Sequence, residues 1–190
     1  MWRVLGPTTK SRWSYSSSKA VDEFLALAYH KERNLGVTIA RFFNTVGPRQ
    51  TGQYGMVIPR FVVQALKNEP ITVYGNGKQV RCFAYVTDVV DAVISIANHK
   101  EAVGQIFNIG NSEPISIDDL AKKIKEKTNS KSEIKYVPYG EAYEEGFEDM
   151  SIRQPDLTKI KTLIGYEPKV KLDTILDKVI EYFSVDALRF

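Results

Sequence analysis

Tyr15 and Lys19 stand four residues apart in the run Tyr15-Ser16-Ser17-Ser18-Lys19, so on a helix both side chains project from one face. A phenol ionises near pH 10, about three units above neutrality, and is a poor base unless a neighbouring cation stabilises its anion. Lys19 is placed to be that cation, and the pair could move a proton to or from a hydroxyl held against it. Taken alone, the same spacing also reads as a solvated surface pair. Asn44 ends an apolar run and opens a Gly/Pro loop, the place where an open α/β sheet presents ligand-binding groups at strand ends. Its amide could bind a ligand or satisfy local turn backbone. Arg81 interrupts an apolar strand and Arg153 precedes the Gln154-Pro155 turn; each guanidinium fork suits paired hydrogen bonds to an anion, or a surface salt bridge.

These side chains need a scaffold, and the composition supports one. The chain has 190 residues, 43% apolar and 26% charged, enough for one globular domain or two small ones with a real core. Lysine and arginine total 26 against 23 acidic residues, a net charge of +3, which is far from the basic excess of a nucleic-acid binder. The single cysteine, Cys82, excludes an internal disulfide, and His30 and His99 lie too far apart for metal-ligand spacing. No stretch has the length or order of a membrane span or signal peptide, so a cytoplasmic protein with no membrane partner is expected.

The periodicities place the candidates on α and β elements. Tyr15 to Arg33 reads as a helix with Ala20, Phe24, Leu27 and Ala28 on its apolar side, and Val37 to Phe43 as a buried strand parallel to its neighbours. Asn44 to Gly55 is a loop, followed by a helix through Val57, Ile58, Phe61, Val62, Ala65 and Leu66, with Pro59 in its first turn. Ile71–Tyr74 and Val80–Val86 read as two strands joined by the Gly75-Asn76-Gly77 turn. Thr87 and Asp88 supply capping chemistry for the next helix. A strand at Gln105–Ile109, a Ser116-capped helix over 117–127, a strand at 134–137 and helices over 156–164 and 172–183 complete an α/β chain. The lysines at 122, 123, 125, 127, 131 and 135 read as a solvated helix face rather than a nucleic-acid surface.

From about Gly6 to Phe183 the sequence resembles the extended short-chain dehydrogenase/reductases, in particular their NAD-dependent nucleotide-sugar epimerases, dehydratases and decarboxylases. The likeness rests on ordered blocks. These are Tyr15-Ser-Ser-Ser-Lys19, Arg41-Phe-Phe-Asn-Thr-Val-Gly-Pro48, Val57-Ile-Pro-Arg-Phe61, Ile71-Thr-Val-Tyr-Gly-Asn-Gly77, Gln79 to Val89, Phe107-Asn-Ile-Gly110, and Arg153-Gln-Pro-Asp-Leu-Thr-Lys159 leading to Leu163-Ile-Gly-Tyr-Glu-Pro168. The resemblance implies an incomplete Rossmann-type doubly wound parallel sheet plus a small α/β substrate-binding domain. It implies Tyr15 as acid/base on a sugar hydroxyl while NAD takes the hydride, with Lys19 tuning the tyrosine and touching the cofactor. It further implies Asn44, Arg81 and Arg153 near a sugar diphosphate, Val73 and Tyr74 beside the nucleotide base, and Val57 and Arg60 bordering the nucleoside. The expected partner is a nucleotide-sugar, UDP-linked, in a homo-oligomer.

One departure is large: no Gly-x-x-Gly-x-x-Gly turn and no βαβ unit precede Tyr15, and Thr8 and Ser11 stand too close to Tyr15 to polarise the reacting hydroxyl. The expectation is a C-terminal portion. Residues 1–55 would be the remnant of the NAD-binding domain and 56–190 mainly the substrate region, with about 80–110 returning to the first. Such a chain alone is expected to lack turnover and not to retain NAD. The alternative reading is a non-catalytic nucleotide-sugar-binding or oligomerisation module.

Overall fold

The structure is a computed structural model that describes residues 6–10, 12–52, 56–142 and 150–187. Helix α1 (Arg12–Arg33) leads into strand β1 (Thr38–Phe42), which runs parallel to β6 (Gln105–Ile109) with Ala40 opposite Phe107 and Arg41 opposite Asn108. A parallel pair needs a crossover, and α3 (Val86–Ala97) is the helix that packs back onto β1. Ala92 and Ile96 of α3, Phe107 and Ile109 of β6, and Ile160 of α6 (Thr158–Ile164) form one buried cluster.

A second cluster joins α2 (Val57–Leu66), β3 (Ile71–Tyr74), α4 (Ile117–Lys127) and α7 (Leu172–Ala187). Phe61, Leu120, Ile124 and Leu176 are fully buried there, each the kind of side chain whose truncation to alanine costs about 2–5 kcal/mol. Ser116 caps α4 as its position suggests, accepting from the Asp119 N–H at 3.0 Å. Gly165 ends α6 in the left-handed conformation at φ 66°. Lys122, Lys123 and Lys127 are paired with Asp118, Asp173 and Asp177, so the lysine run of α4 is largely neutralised and ties α4 to α7.

Three expectations are corrected. The 71–74 and 80–86 runs do not form a hairpin. β3 instead pairs in parallel with β8 (Ile134–Val137), and the second run breaks at Phe83 into β4 (Val80–Cys82) and β5 (Ala84–Tyr85). β5 pairs in parallel with the short strand β2 (Thr45–Val46), inside what reads as loop. β4 is the centre of a three-stranded sheet, antiparallel to β7 (Pro114–Ser116) and parallel to β9 (Ile152–Arg153). Strands of two or three residues carry too little alternation to be seen locally.

Asp88 does not cap α3. It is buried, and its Oδ2 accepts from the backbone N–H groups of Lys169 and Val170, both at 3.0 Å, fastening the segment between α6 and α7. Helix α1 follows its expected apolar side only in part: Ala20 and Leu27 are half-buried, but Ala28 is exposed and Phe24 is 75% exposed, while the polar Glu23 and His30 are half-buried with them. The short α5 (Tyr139–Ala142) was not signalled by periodicity. None of the described helices is long and apolar enough to cross a membrane, and the described residues include no acidic, histidine or cysteine cluster able to hold a metal.

Candidate functional site

The register of β4 and β9 sets Arg81 directly opposite Arg153. Neighbouring strands in a sheet lie about 4.8 Å apart, so two arginine side chains leave adjacent backbone positions on the same face of the ladder. Like charges directly opposite are unfavourable by themselves, and an anion between them converts that cost into attraction. Arg81 Nη1 donates to its neighbour's carbonyl, Val80 O, at 2.7 Å and to Met150 O at 2.9 Å, which holds the approach to β9 against β4. The Arg153 guanidinium lies 5.5 Å from the ring centroid of Phe43, just beyond β1.

Asn44 follows Phe43 in the left-handed region at φ 38°, a conformation asparagine tolerates better than most residues. Its Nδ2 donates to Cys82 O at 2.9 Å, and its carbonyl accepts from Ala84 N at 3.2 Å, so Asn44 splices the end of β1 to the β4–β5 junction. Its side-chain nitrogen is therefore engaged by backbone one residue from Arg81. Burial pushes the Cys82 thiol above its usual range, consistent with a packing role.

On the other side of the turn, the Arg60 guanidinium stacks 4.2 Å from the Tyr74 ring centroid and donates through Nη2 to Thr72 O at 3.1 Å. Gln79 Nε2 donates to Tyr74 O at 2.8 Å, linking this stack to the strand that carries Arg81. Val57 begins α2, one turn before Arg60. Alternation along β3 turns the fully buried Val73 side chain into the core, leaving its backbone on the strand, and leaves Tyr74 half-exposed.

Tyr15 and Lys19 occupy the first turns of α1. Tyr15 is 70% exposed, and the Lys19 ammonium lies 5.8 Å from its ring centroid. Lys19 Nζ donates to Asp22 Oδ2 at 2.7 Å, and this hydrogen bond and charge raise the lysine above its ordinary pKa, keeping it a cation. Among the described residues the contacts of Tyr15 lie within its own helix, including a hydrogen bond from Ser18 Oγ to its carbonyl at 2.9 Å. Backbone and ring contacts thus link Asn44, Arg60 and Tyr74 to the strands that carry Arg81 and Arg153, while Tyr15 and Lys19 meet each other on α1.

The exposed Tyr15–Lys19 face presents a phenol beside a cation near the start of α1. Among the described residues, no strand–glycine turn–helix unit of the kind that holds a dinucleotide pyrophosphate precedes α1. Phe43, Gln79 and the Glu23–Arg41 pair were missed as site neighbours. Gln79 at least lies within the block that carries Arg81, whereas the other contacts join segments distant in sequence.

Residues 7–179 match the family model described as GDP-mannose 4,6 dehydratase. The chain is 43% identical over 95% of its length to a UDP-N-acetyl-alpha-D-glucosaminuronate decarboxylase of Bacillus cytotoxicus, of which it covers 56%. It is 39% identical over 91% of its length to UDP-glucuronic acid decarboxylase 1 of Danio rerio, of which it covers 40%. Among solved structures, UDP-glucose 4-epimerase of Thermotoga maritima with UDP-glucose superposes at TM-score 0.82 and 30% identity, over 98% of this chain and 60% of that one. UDP-glucuronic acid 4-epimerase of Bacillus cereus, with UDP-glucuronic acid and NAD, gives TM-score 0.81 at 27% identity, over 90% and 52%. The chain spans about half the length of the curated relatives it matches. With its parallel pairs and crossover helices it has the Rossmann-like α/β architecture of these neighbours, and it belongs to the GDP-mannose 4,6 dehydratase family.

Proposed function

We propose that this chain is the substrate-side portion of an NAD-dependent nucleotide-sugar epimerase/dehydratase that takes a UDP-linked sugar. The observation that carries the reading is the side-by-side placement of Arg81 and Arg153. Two guanidinium groups borne at adjacent positions of neighbouring strands can supply the charge and the paired N–H donors that a diphosphate accepts. The Arg60–Tyr74 stack offers a flat apolar surface for the base, Val57 borders it, and Asn44 holds the intervening backbone in place.

In the complete site Tyr15 accepts the proton of a sugar hydroxyl and later returns it, with the Lys19 cation favouring the phenolate. The chemistry NAD supplies when bound is hydride acceptance from the sugar carbon and its return. A transient ketone permits inversion, elimination or decarboxylation.

Residues 1–55 belong in this reading with the dinucleotide-binding side. Residues 56–190 form mainly the substrate side, and about 80–110 run back to the first. The chain alone has no turnover and retains no NAD. A homo-oligomer forms through α1, which exposes Val21, Phe24, Leu25 and Tyr29, all more than half accessible. That face also favours the second reading, an oligomerisation module.

The test is complementation: the purified chain is mixed with the N-terminal dinucleotide-binding portion of the Bacillus cytotoxicus relative, and NAD retention and UDP-sugar turnover are measured. Gain of both, with turnover lost in Tyr15→Phe, supports the enzyme reading. NAD retention with Tyr15→Phe as active as the parent would remove Tyr15 from its role.

A further inference from the structure

Helix α1 faces the rest of the molecule with few large apolar side chains. Of these only Trp13 and Leu27 are half-buried, beside small or polar positions such as Ser16, Ala20 and Glu23, while Val21, Phe24, Leu25 and Tyr29 are exposed. A helix packed so lightly needs another device to fix its rotation and height. The structure provides one in Glu23 and Arg41. Arg41 Nε donates to Glu23 Oε1 at 2.7 Å and Nη2 to Glu23 Oε2 at 2.6 Å. A two-pronged pair fixes orientation as well as distance, which a single contact does not. The side chains are only 24% and 14% exposed, so the pair is screened less than an ordinary surface bridge. The hydrogen bond to Glu23 raises the guanidinium further above its already high pKa.

Position gives the pair its meaning. Tyr15, Lys19 and Glu23 follow one another at four-residue steps down one side of α1. Arg41 sits in β1, and two residues on, Phe43 continues the ladder to Ile109 O at 2.9 Å with its ring beside the Arg153 guanidinium. One short strand therefore carries both the anchor of α1 and the support of Arg153. We propose that Glu23 and Arg41 are positioning residues that fix Tyr15 and Lys19 relative to the Arg81–Arg153 pair. This rests on the roles proposed above for Tyr15, Lys19 and the two arginines. The clamp acts through helix placement and touches neither substrate nor cofactor.

The test reads placement directly. In a Cys82→Ala background, Ser18→Cys on α1 and Ile152→Cys on β9 carry spin labels, and the inter-label distance distribution of the 190-residue chain is measured by pulsed electron resonance. The parent should give one narrow distribution. Glu23→Gln, and Arg41→Lys, which keeps the charge but loses the fork, should broaden it about twofold or shift it. The exchanged pair E23R/R41E should restore it. A bridge that only stabilised the fold would lower the melting temperature in both single variants without altering the distribution; that result overturns the proposal, as does failure of the exchanged pair to restore a narrow distribution in a folded sample. UDP-glucuronate binding measured on the unlabelled parent reports separately on the substrate reading, so failure of one is not confused with failure of the other.

Discussion

Arg81 and Arg153 face each other across the parallel β4–β9 ladder, with Arg153 beside Phe43 at the end of β1 and Arg81 one residue from Cys82, the acceptor for Asn44. Residues from three separated stretches of chain thereby meet around two positive charges. Within α1, by contrast, Tyr15 and Lys19 meet through local helix geometry alone. The two halves of the proposed chemistry differ in this respect, one assembled by tertiary pairing and the other by a single turn.

That difference predicts separable behaviour. Tyr15→Phe keeps the ring and removes only the hydroxyl, on a side chain already 70% exposed. The variant should match the parent in melting temperature and in UDP-glucuronate affinity within about twofold, while losing about 100-fold or more of any turnover in the complemented enzyme. Thermal unfolding, calorimetry and a turnover assay check the three parts.

Asp88 fastens the segment ahead of α7 through two backbone N–H groups. Asp88→Ala leaves both donors without their acceptor and should cost about 2–3 kcal/mol in urea unfolding. Asp88→Asn retains one acceptor oxygen and should lose less. Equal stability of Asp88→Ala and the parent contradicts the role.

Tyr166 is buried and donates to Gly110 O at 2.8 Å, and burial, with the Asp88 charge added, pushes its phenol up to about 12. An unfolded tyrosine ionises near pH 10. The folded state thus keeps its proton where the unfolded state has lost it. Its contribution to stability is complete below about pH 10 and is lost as pH rises from there through about 12. Urea midpoints across that range should fall more steeply for the parent than for Tyr166→Phe; parallel curves would show that Tyr166 is not the group responsible.

The exposed apolar face of α1 predicts self-association. The parent should sediment as a dimer or larger at micromolar concentration, and Leu25→Glu, at a position 54% exposed, should yield a folded monomer. A monomeric parent contradicts the assembly proposed through this face.

Much of the fold was legible because its signals are local. The strand at Gln105–Ile109 and the helix Ile117–Lys127 with its Ser116 cap stand where period and capping chemistry put them. What escaped was pairing. β2, β5, β7 and β9 are two or three residues long, and their partners lie far along the chain, so no local pattern distinguishes them from turn. The false hairpin at 71–86 has the same origin, since a glycine turn between two apolar runs is ambiguous until β8 takes the edge of β3. The face of α1 was legible in part: Ala20 and Leu27 do turn inward, but Phe24 and Ala28 do not, and the inward place of the charged Glu23 depends on Arg41, a partner 18 residues on that helical spacing alone does not reveal. Among the site residues, Arg81 stood out as a charge in an apolar strand, while its register with Arg153 is purely tertiary.

The most direct test of the account is calorimetric titration of the 190-residue chain with UDP-glucuronate, with UDP and uridine as controls. The account predicts that UDP-glucuronate and UDP bind while uridine, lacking the diphosphate, binds at least about tenfold more weakly. Arg81→Ala and Arg153→Ala should each lose about 10- to 100-fold in affinity for the diphosphate ligands, with the uridine response unchanged. A folded parent that binds no uridine diphosphate at millimolar concentration, or binds it as well after both arginines are removed, would contradict the central claim.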